Sequence, residues 1–136
     1  MLSVSLTFAG ALALVNLWLA SRVLRVRRLG KVLVGDGDNP LLLCRMRAQA
    51  NFVEYTPFVL ILMALIELAG GARPWLLGIG IAYVVGRILH AFGMDRRAMP
   101  NPFRMIGALV TFTILAGLGL WAIWIASHAP ASVHYL

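Results

Sequence analysis

The chain has 136 residues, of which 61% are hydrophobic and only 12% charged, with a mean hydropathy of +0.87; this excludes a soluble globule and indicates a single integral membrane domain over residues 1–136. A formal charge of +7 would suit nucleic acid, but the cations adjoin the apolar runs, so no nucleic acid is expected and the partner is membrane lipid. The single Cys44 excludes an internal disulfide and reads as a small apolar filler.

Residues 1–21 carry no charged side chain, and at ~1.5 Å per residue such a run crosses a hydrocarbon core of ~30 Å. The first span is set at about residues 2–24. It does not resemble a cleaved signal peptide, because its arginines follow the apolar run. Asn16 sits mid-span and predicts an interhelical hydrogen bond. Arg22, Arg25, Arg27, Arg28 and Lys31 read as anchors at one membrane face, with the helix continuing until Gly35-Asp36-Gly37-Asp38 turns the chain.

Asn39-Pro40 has the pattern of an N-cap followed by proline at the first helical position, and starts a second helix that ends at Gly70-Gly71. Its membrane-crossing part is set at about 44–70. Within it Arg47, Asn51, Glu54 and Phe58 recur on one face, so a single stripe carries both charges. An ionised group in a span costs at least ~2.5–3.5 kcal/mol, so the stripe faces protein; it serves either a functional site or a structural ion pair. Pro57 should kink the helix. Glu67, near the far end, is expected to snorkel to the surface and to carry no chemistry.

Pro74-Trp75 opens the third span, set at about 74–94, in which Gly78, Gly80 and Gly86 permit close helix contacts. Arg87, His90 and Met94 form a second polar stripe, with Tyr83 one turn earlier on the same side. No Cys, His or carboxylate stands at ligand spacing from His90, so no metal is expected. Counted by helical rise, Glu54 lies ~10 Å from Arg47 and Arg87 ~12 Å from Asp95 at the same face. The equal depth predicts a Glu54–Arg87 ion pair between the second and third helices.

A short basic loop from Asp95 leads to Asn101-Pro102, a second cap signal, and to a fourth span set at about 103–127. Arg104 lies in the first turn, where the helix dipole disfavours a cation by some tenths of a kcal/mol. Either a bound anion offsets this or Arg104 is an interfacial anchor. Trp121, Trp124 and the tail from His128 to Leu136 mark the opposite interface. The fold expected is all-α, a membrane four-helix bundle. Of twelve Lys and Arg, only Arg73 lies on the side of the termini, which places the basic loops in the cytoplasm and the termini on the non-cytoplasmic side.

The phrase RAQANFVEYTP, with VLRVRRLG ending the first span, GRILHAFG in the third and an arginine opening the fourth, resembles the MAPEG family of membrane proteins in eicosanoid and glutathione metabolism. The similarity runs over roughly residues 20–110. In the second helix it is greatest to the leukotriene C synthase branch, which shares R-A-Q-x-N-x-x-E-Y-x-P. The resemblance implies a homotrimer of four-helix protomers with glutathione bound between adjacent subunits. It places Arg27 or Arg28 on a glutathione carboxylate, and Arg47, Gln49, Asn51, Glu54 and Tyr55 on the peptide and its amine. Arg87 and His90 match polar positions of the third span, and Met94 stands where the eicosanoid enzymes carry a tyrosine. Arg104 resembles the arginine that activates the thiol: a free thiol has a pKa near ~8.5, and a guanidinium at a helix N-terminus favours the thiolate.

The compact length suggests a bacterial, inner-membrane member. The resemblance then implies a glutathione transferase or peroxidase that takes glutathione as co-substrate, without a metal, and an apolar electrophile or lipid hydroperoxide. Two other classes stay open. One is a non-catalytic lipid-binding scaffold of the same family, against which Arg27, Gln49, Glu54 and Arg104 speak. The other is a small multidrug transporter, against which the charge-free first span speaks.

Overall fold

The computed structural model describes residues 1–95 and 101–129. Within them the chain forms α1 (Ser3–Gly30), α2 (Pro40–Leu68), α3 (Arg73–Asp95) and α4 (Pro102–His128). Each helix is long and apolar enough to cross a membrane, and together they make an all-α, four-helix integral membrane bundle. The basic segment 96–100 and the tail 130–136, both assigned to membrane faces above, lie outside the described residues.

The helix ends follow local chemistry. Asn39 caps α2, its side-chain oxygen accepting from the N–H groups of Leu41 and Leu42 at 3.0 and 3.2 Å, and Pro40 follows at the first helical position. Asn101 caps α4 in the same way, accepting from Phe103 N–H at 3.1 Å, while its amide donates to the Gly93 carbonyl at 3.0 Å. The start of α4 is thereby fastened to the end of α3. α1 stops at Gly30, short of the Gly35–Asp38 turn expected to end it. Lys31 adopts a left-handed φ of 51°, and the Lys31 and Val32 N–H groups return to the Arg28 and Arg27 carbonyls. Val32 then packs on Val23, Val26 and Leu42, an apolar contact that holds the early stop in place.

Glu67 departs from expectation. It is 8% exposed and does not snorkel. Its carboxylate accepts from the N–H groups of Val4 and Ser5 at 3.0 and 2.8 Å and from the Ser5 hydroxyl at 2.7 Å. Leu2, at the N-cap of α1, has no side chain able to do this. The end of α2 therefore caps α1 across the bundle, with a negative charge at the positive end of the helix dipole.

The core runs through Leu12, Phe52, Val59, Met63, Leu76 and Tyr83, with the Thr56 hydroxyl and Tyr83 phenol 3.1 Å apart. Leu14, Leu17, Val85, Leu109 and Ile123 point outward, as lipid-facing side chains do. Asn16 does not form the interhelical bond expected of it: its Oδ1 is buried without a partner. It shares a groove with Thr56, whose hydroxyl is already engaged by Tyr83. α2 continues as a helix through Pro57.

Helices α3 and α4 approach closely where they lack side chains. A Cβ on Gly107 would meet the Gly86 carbonyl at 2.6 Å, and one on Gly86 would meet Val110 at 2.8 Å. Gly80 makes room for the Phe8 ring, whereas Gly78 faces open space and takes no part in packing.

Candidate functional site

The charged stripe of α2 and the late residues of α3 meet the first turn of α4 at one end of the bundle. Arg47, Asn51 and Glu54 from α2, His90 and Met94 from α3 and Arg104 from α4 line a cavity of about 200 Å³. Arg47, Glu54 and Arg104 are exposed, while His90 is buried. The His90 Nδ1 lies 3.3 Å from the Arg104 carbonyl oxygen. A carbonyl only accepts, so Nδ1 is the donor in this contact. A Cβ added to Gly93 would overlap the Arg104 backbone. His90 and Gly93 thus set where Arg104 begins, and with it the direction of the cavity wall.

Arg87 stands behind the cavity and does not line it. It is 1% exposed, donating to Asn51 Oδ1 at 2.8 Å and to Thr111 Oγ1 at 3.1 Å, with its guanidinium carbon 5.7 Å from the Phe52 ring centroid. Thr111 in turn donates to the Gly107 carbonyl at 2.8 Å. The expected Glu54–Arg87 ion pair is not formed. Depth counted on backbone rise ignores side-chain length, and an extended arginine reaches about one helical turn, ~5.4 Å, to Asn51. Neutral acceptors and an aromatic face satisfy most of the buried cation, and Glu54 is left facing the cavity.

Other residues implied by the resemblance fall outside this cavity. Arg27 and Arg28 line a separate one with Lys31 and Val32, and Arg27 donates to the Leu33 carbonyl at 3.3 Å. Tyr55 packs edge-on against Phe112 at 5.4 Å between centroids, and Gln49 is half-buried away from the cavity wall. The chain therefore gathers Arg47, Asn51, Glu54, His90 and Arg104, backs them with Arg87, and holds Arg27, Arg28, Gln49 and Tyr55 elsewhere. Among the described residues no three His, Cys, Asp or Glu side chains come together.

Sequence reasoning missed a second polar cluster. Among the described residues the ion pairs are those of Asp95 with Arg22 and with Arg45. The signal was present: Asp95 is a lone acid at the end of an apolar span, directly before the basic pair Arg96-Arg97. Gly93 was missed as well, although it repeats Gly86 at a heptad interval on the face that carries Arg87 and His90.

The sequence pattern of the MAPEG family matches residues 5–124, which include every residue of both clusters. The chain belongs to the MAPEG family. This MAPEG chain is 32% identical over 122 residues to Inner membrane protein YecN of Escherichia coli strain K12, covering 89% of the chain and 91% of YecN. The YecN of Escherichia coli O6:H1 matches with the same figures.

Proposed function

We propose that this MAPEG protein is a bacterial inner-membrane glutathione transferase or peroxidase in which Arg104 stabilises the glutathione thiolate. The observation that carries this reading is the convergence of two guanidiniums, a carboxylate, an amide and an imidazole from three helices on one cavity. Glutathione offers the complementary groups: two carboxylates, an ammonium, peptide amides and a thiol. Glu54 suits the ammonium, Arg47 a carboxylate and Asn51, held by Arg87, a peptide group. Arg104 is the third residue of α4, where guanidinium and helix dipole act together on a sulfur anion.

Loss of the thiol proton to water gives a thiolate. It forms a C–S bond with an electrophilic carbon as the leaving group departs, or attacks a hydroperoxide oxygen, breaking the O–O bond and releasing the alcohol. The resulting sulfenic acid and a second glutathione then give the disulfide and water.

The cavity of about 200 Å³ is smaller than the ~300–1,000 Å³ usual for ligand sites. A neighbouring protomer in a homotrimer would enlarge it and present Arg27 or Arg28, which explains why those arginines lie elsewhere within one chain. The bias of cations toward the cavity end supports a cytoplasmic position for that end, with the termini outside.

The test is an ultraviolet thiolate titration of glutathione on the protein in detergent, wild type against Arg104→Ala. A saturable thiolate signal at neutral pH that disappears in the variant supports the proposal. Glutathione binding without thiolate in the wild type would instead indicate a scaffold, and no binding would overturn a glutathione function altogether.

A further inference from the structure

We propose that the second polar cluster is a binding site for the phosphodiester headgroup of an anionic glycerophospholipid. It occupies a cavity of about 250 Å³ between α1, α2 and α3, walled by Trp18, Arg22, Arg25, Arg45, Phe92 and Asp95. It shares no wall residue with the glutathione cavity. Arg45 and Arg47 sit two positions apart on α2, ~200° around the helix, and so serve opposite sides of it.

The donors in this cavity outnumber the acceptors. Asp95 accepts three bonds: Arg45 forks onto both its oxygens at 3.2 and 3.1 Å, and Arg22 Nη2 bonds one of them as well. The remaining Arg45 nitrogen, Nη1, donates to the Arg22 carbonyl at 3.1 Å. Arg22 Nη2 also reaches the Ala91 carbonyl at 3.3 Å. Its Nη1 is buried with no partner, on a side chain only 11% exposed. A buried guanidinium nitrogen without an acceptor is an energetic liability that an anion would relieve.

The ring faces of Trp18 and Phe92, 4.7 and 5.5 Å from the Arg22 guanidinium carbon, hold that group in place. Arg25 adds a third cation at the cavity wall and makes no ion pair among the described residues. Three guanidiniums against one carboxylate leave a formal excess of two positive charges, suited to an anion.

The source of the phosphate follows from what adjoins the cavity. Phe92 is continuous with Val85 and Ile81, which lie seven and eleven residues earlier on the same face of α3, and all three are at least half exposed. This apolar stripe leads out of the cavity along the bundle, as acyl chains attached to a bound headgroup would. Basic pockets between spans at a membrane face are the setting in which anionic lipid headgroups bind.

The test is native mass spectrometry of the detergent-solubilised full chain titrated with phosphatidylglycerol or phosphatidylcholine. Phosphatidylglycerol should bind at one per chain and at least ten-fold more tightly than phosphatidylcholine. Arg25→Gln should weaken it at least five-fold and Arg22→Gln should abolish it, while Arg73→Gln at the opposite end changes nothing. Arg22 also joins α1 to α3, so Arg25→Gln is the decisive variant, its exposed side chain carrying no ion pair to lose. Equal phosphatidylglycerol retention in wild type and Arg25→Gln overturns the proposal, as does an equal loss in Arg73→Gln. Displacement by millimolar inorganic phosphate would assign the cavity to a free anion and overturn the lipid.

Discussion

Glu67 is the residue whose role the fold changes most, and its replacement gives a sharp test of how α1 is held. The carboxylate takes two backbone N–H groups and one hydroxyl at 2.7–3.0 Å. Hydrogen bonds to a charged group contribute about 1.5–3 kcal/mol each, and a charge at a helix N-terminus about 0.3–1 kcal/mol. These do not add in full, because the terminal turn can fray and recover water at the membrane face. The expected loss for Glu67→Ala is therefore about 2–4 kcal/mol, or a factor of ~30–1,000 in the folding equilibrium. Ser5→Ala removes one donor alone and should cost about 1 kcal/mol. Equilibrium unfolding by sodium dodecyl sulfate in mixed micelles measures both, and a double-mutant cycle should return a coupling of about 0.5–1 kcal/mol. Amide exchange at Val4 and Ser5 should rise in Glu67→Ala with little change in the middle of α2. A Glu67→Ala variant within about 0.5 kcal/mol of wild type, with those amides still protected, would refute the cap and return Glu67 to a solvated surface position.

Two further substitutions probe the packing around the sites. Gly93→Ala places a methyl group against the Arg104 backbone and should push the first turn of α4 away from the cavity, lowering the thiolate signal at least ten-fold; circular dichroism should show unchanged helix content, and an undiminished signal would mean that Arg104 does not depend on this contact. Asn16→Leu removes an unpartnered buried oxygen from an apolar groove of about 290 Å³, and should stabilise the protein by about 1–3 kcal/mol in the same unfolding assay; destabilisation would show that the oxygen is bonded.

Much of the fold was legible from residue order because its signals are local. Asn39-Pro40 and Asn101-Pro102 act as caps through side-chain oxygens that bond backbone two or three residues on, a reach the sequence displays directly. Span position follows from hydropathy for the same reason. What was hidden depends on distant segments. The cap on α1 comes from Glu67, 62 residues further along than Ser5, and no local pattern joins them. The helices of Glu54 and Arg87 were matched correctly as neighbours, but a guanidinium reaches about a turn beyond its own Cα, and the pairing passed to Asn51. The cavity residues were legible as a stripe because helical periodicity puts Arg47, Asn51 and Glu54 on one face. Gly93 was not, since a glycine shows its use only when the helix facing it is known.

The two clusters share an imbalance of lining cations over lining acids. Around the first cavity Arg47 and Arg104 face one acid, Glu54; around the second Arg22, Arg25 and Arg45 face one acid, Asp95. Arg87, the most deeply buried cation among the described residues, is met by Asn51, Thr111 and Phe52, which bring no charge. An ion near a span without a counter-charge is expensive, and among the described residues Arg22 and Arg45 share one carboxylate. Each cavity is lined by a single acid. α3 sets both arrangements, presenting His90 and Gly93 toward α4 and Ala91, Phe92 and Asp95 toward α1. A rotation of α3 that improved one cavity would spoil the other. The close glycine contacts with α4 and the Asp95 fork restrain that rotation from opposite sides.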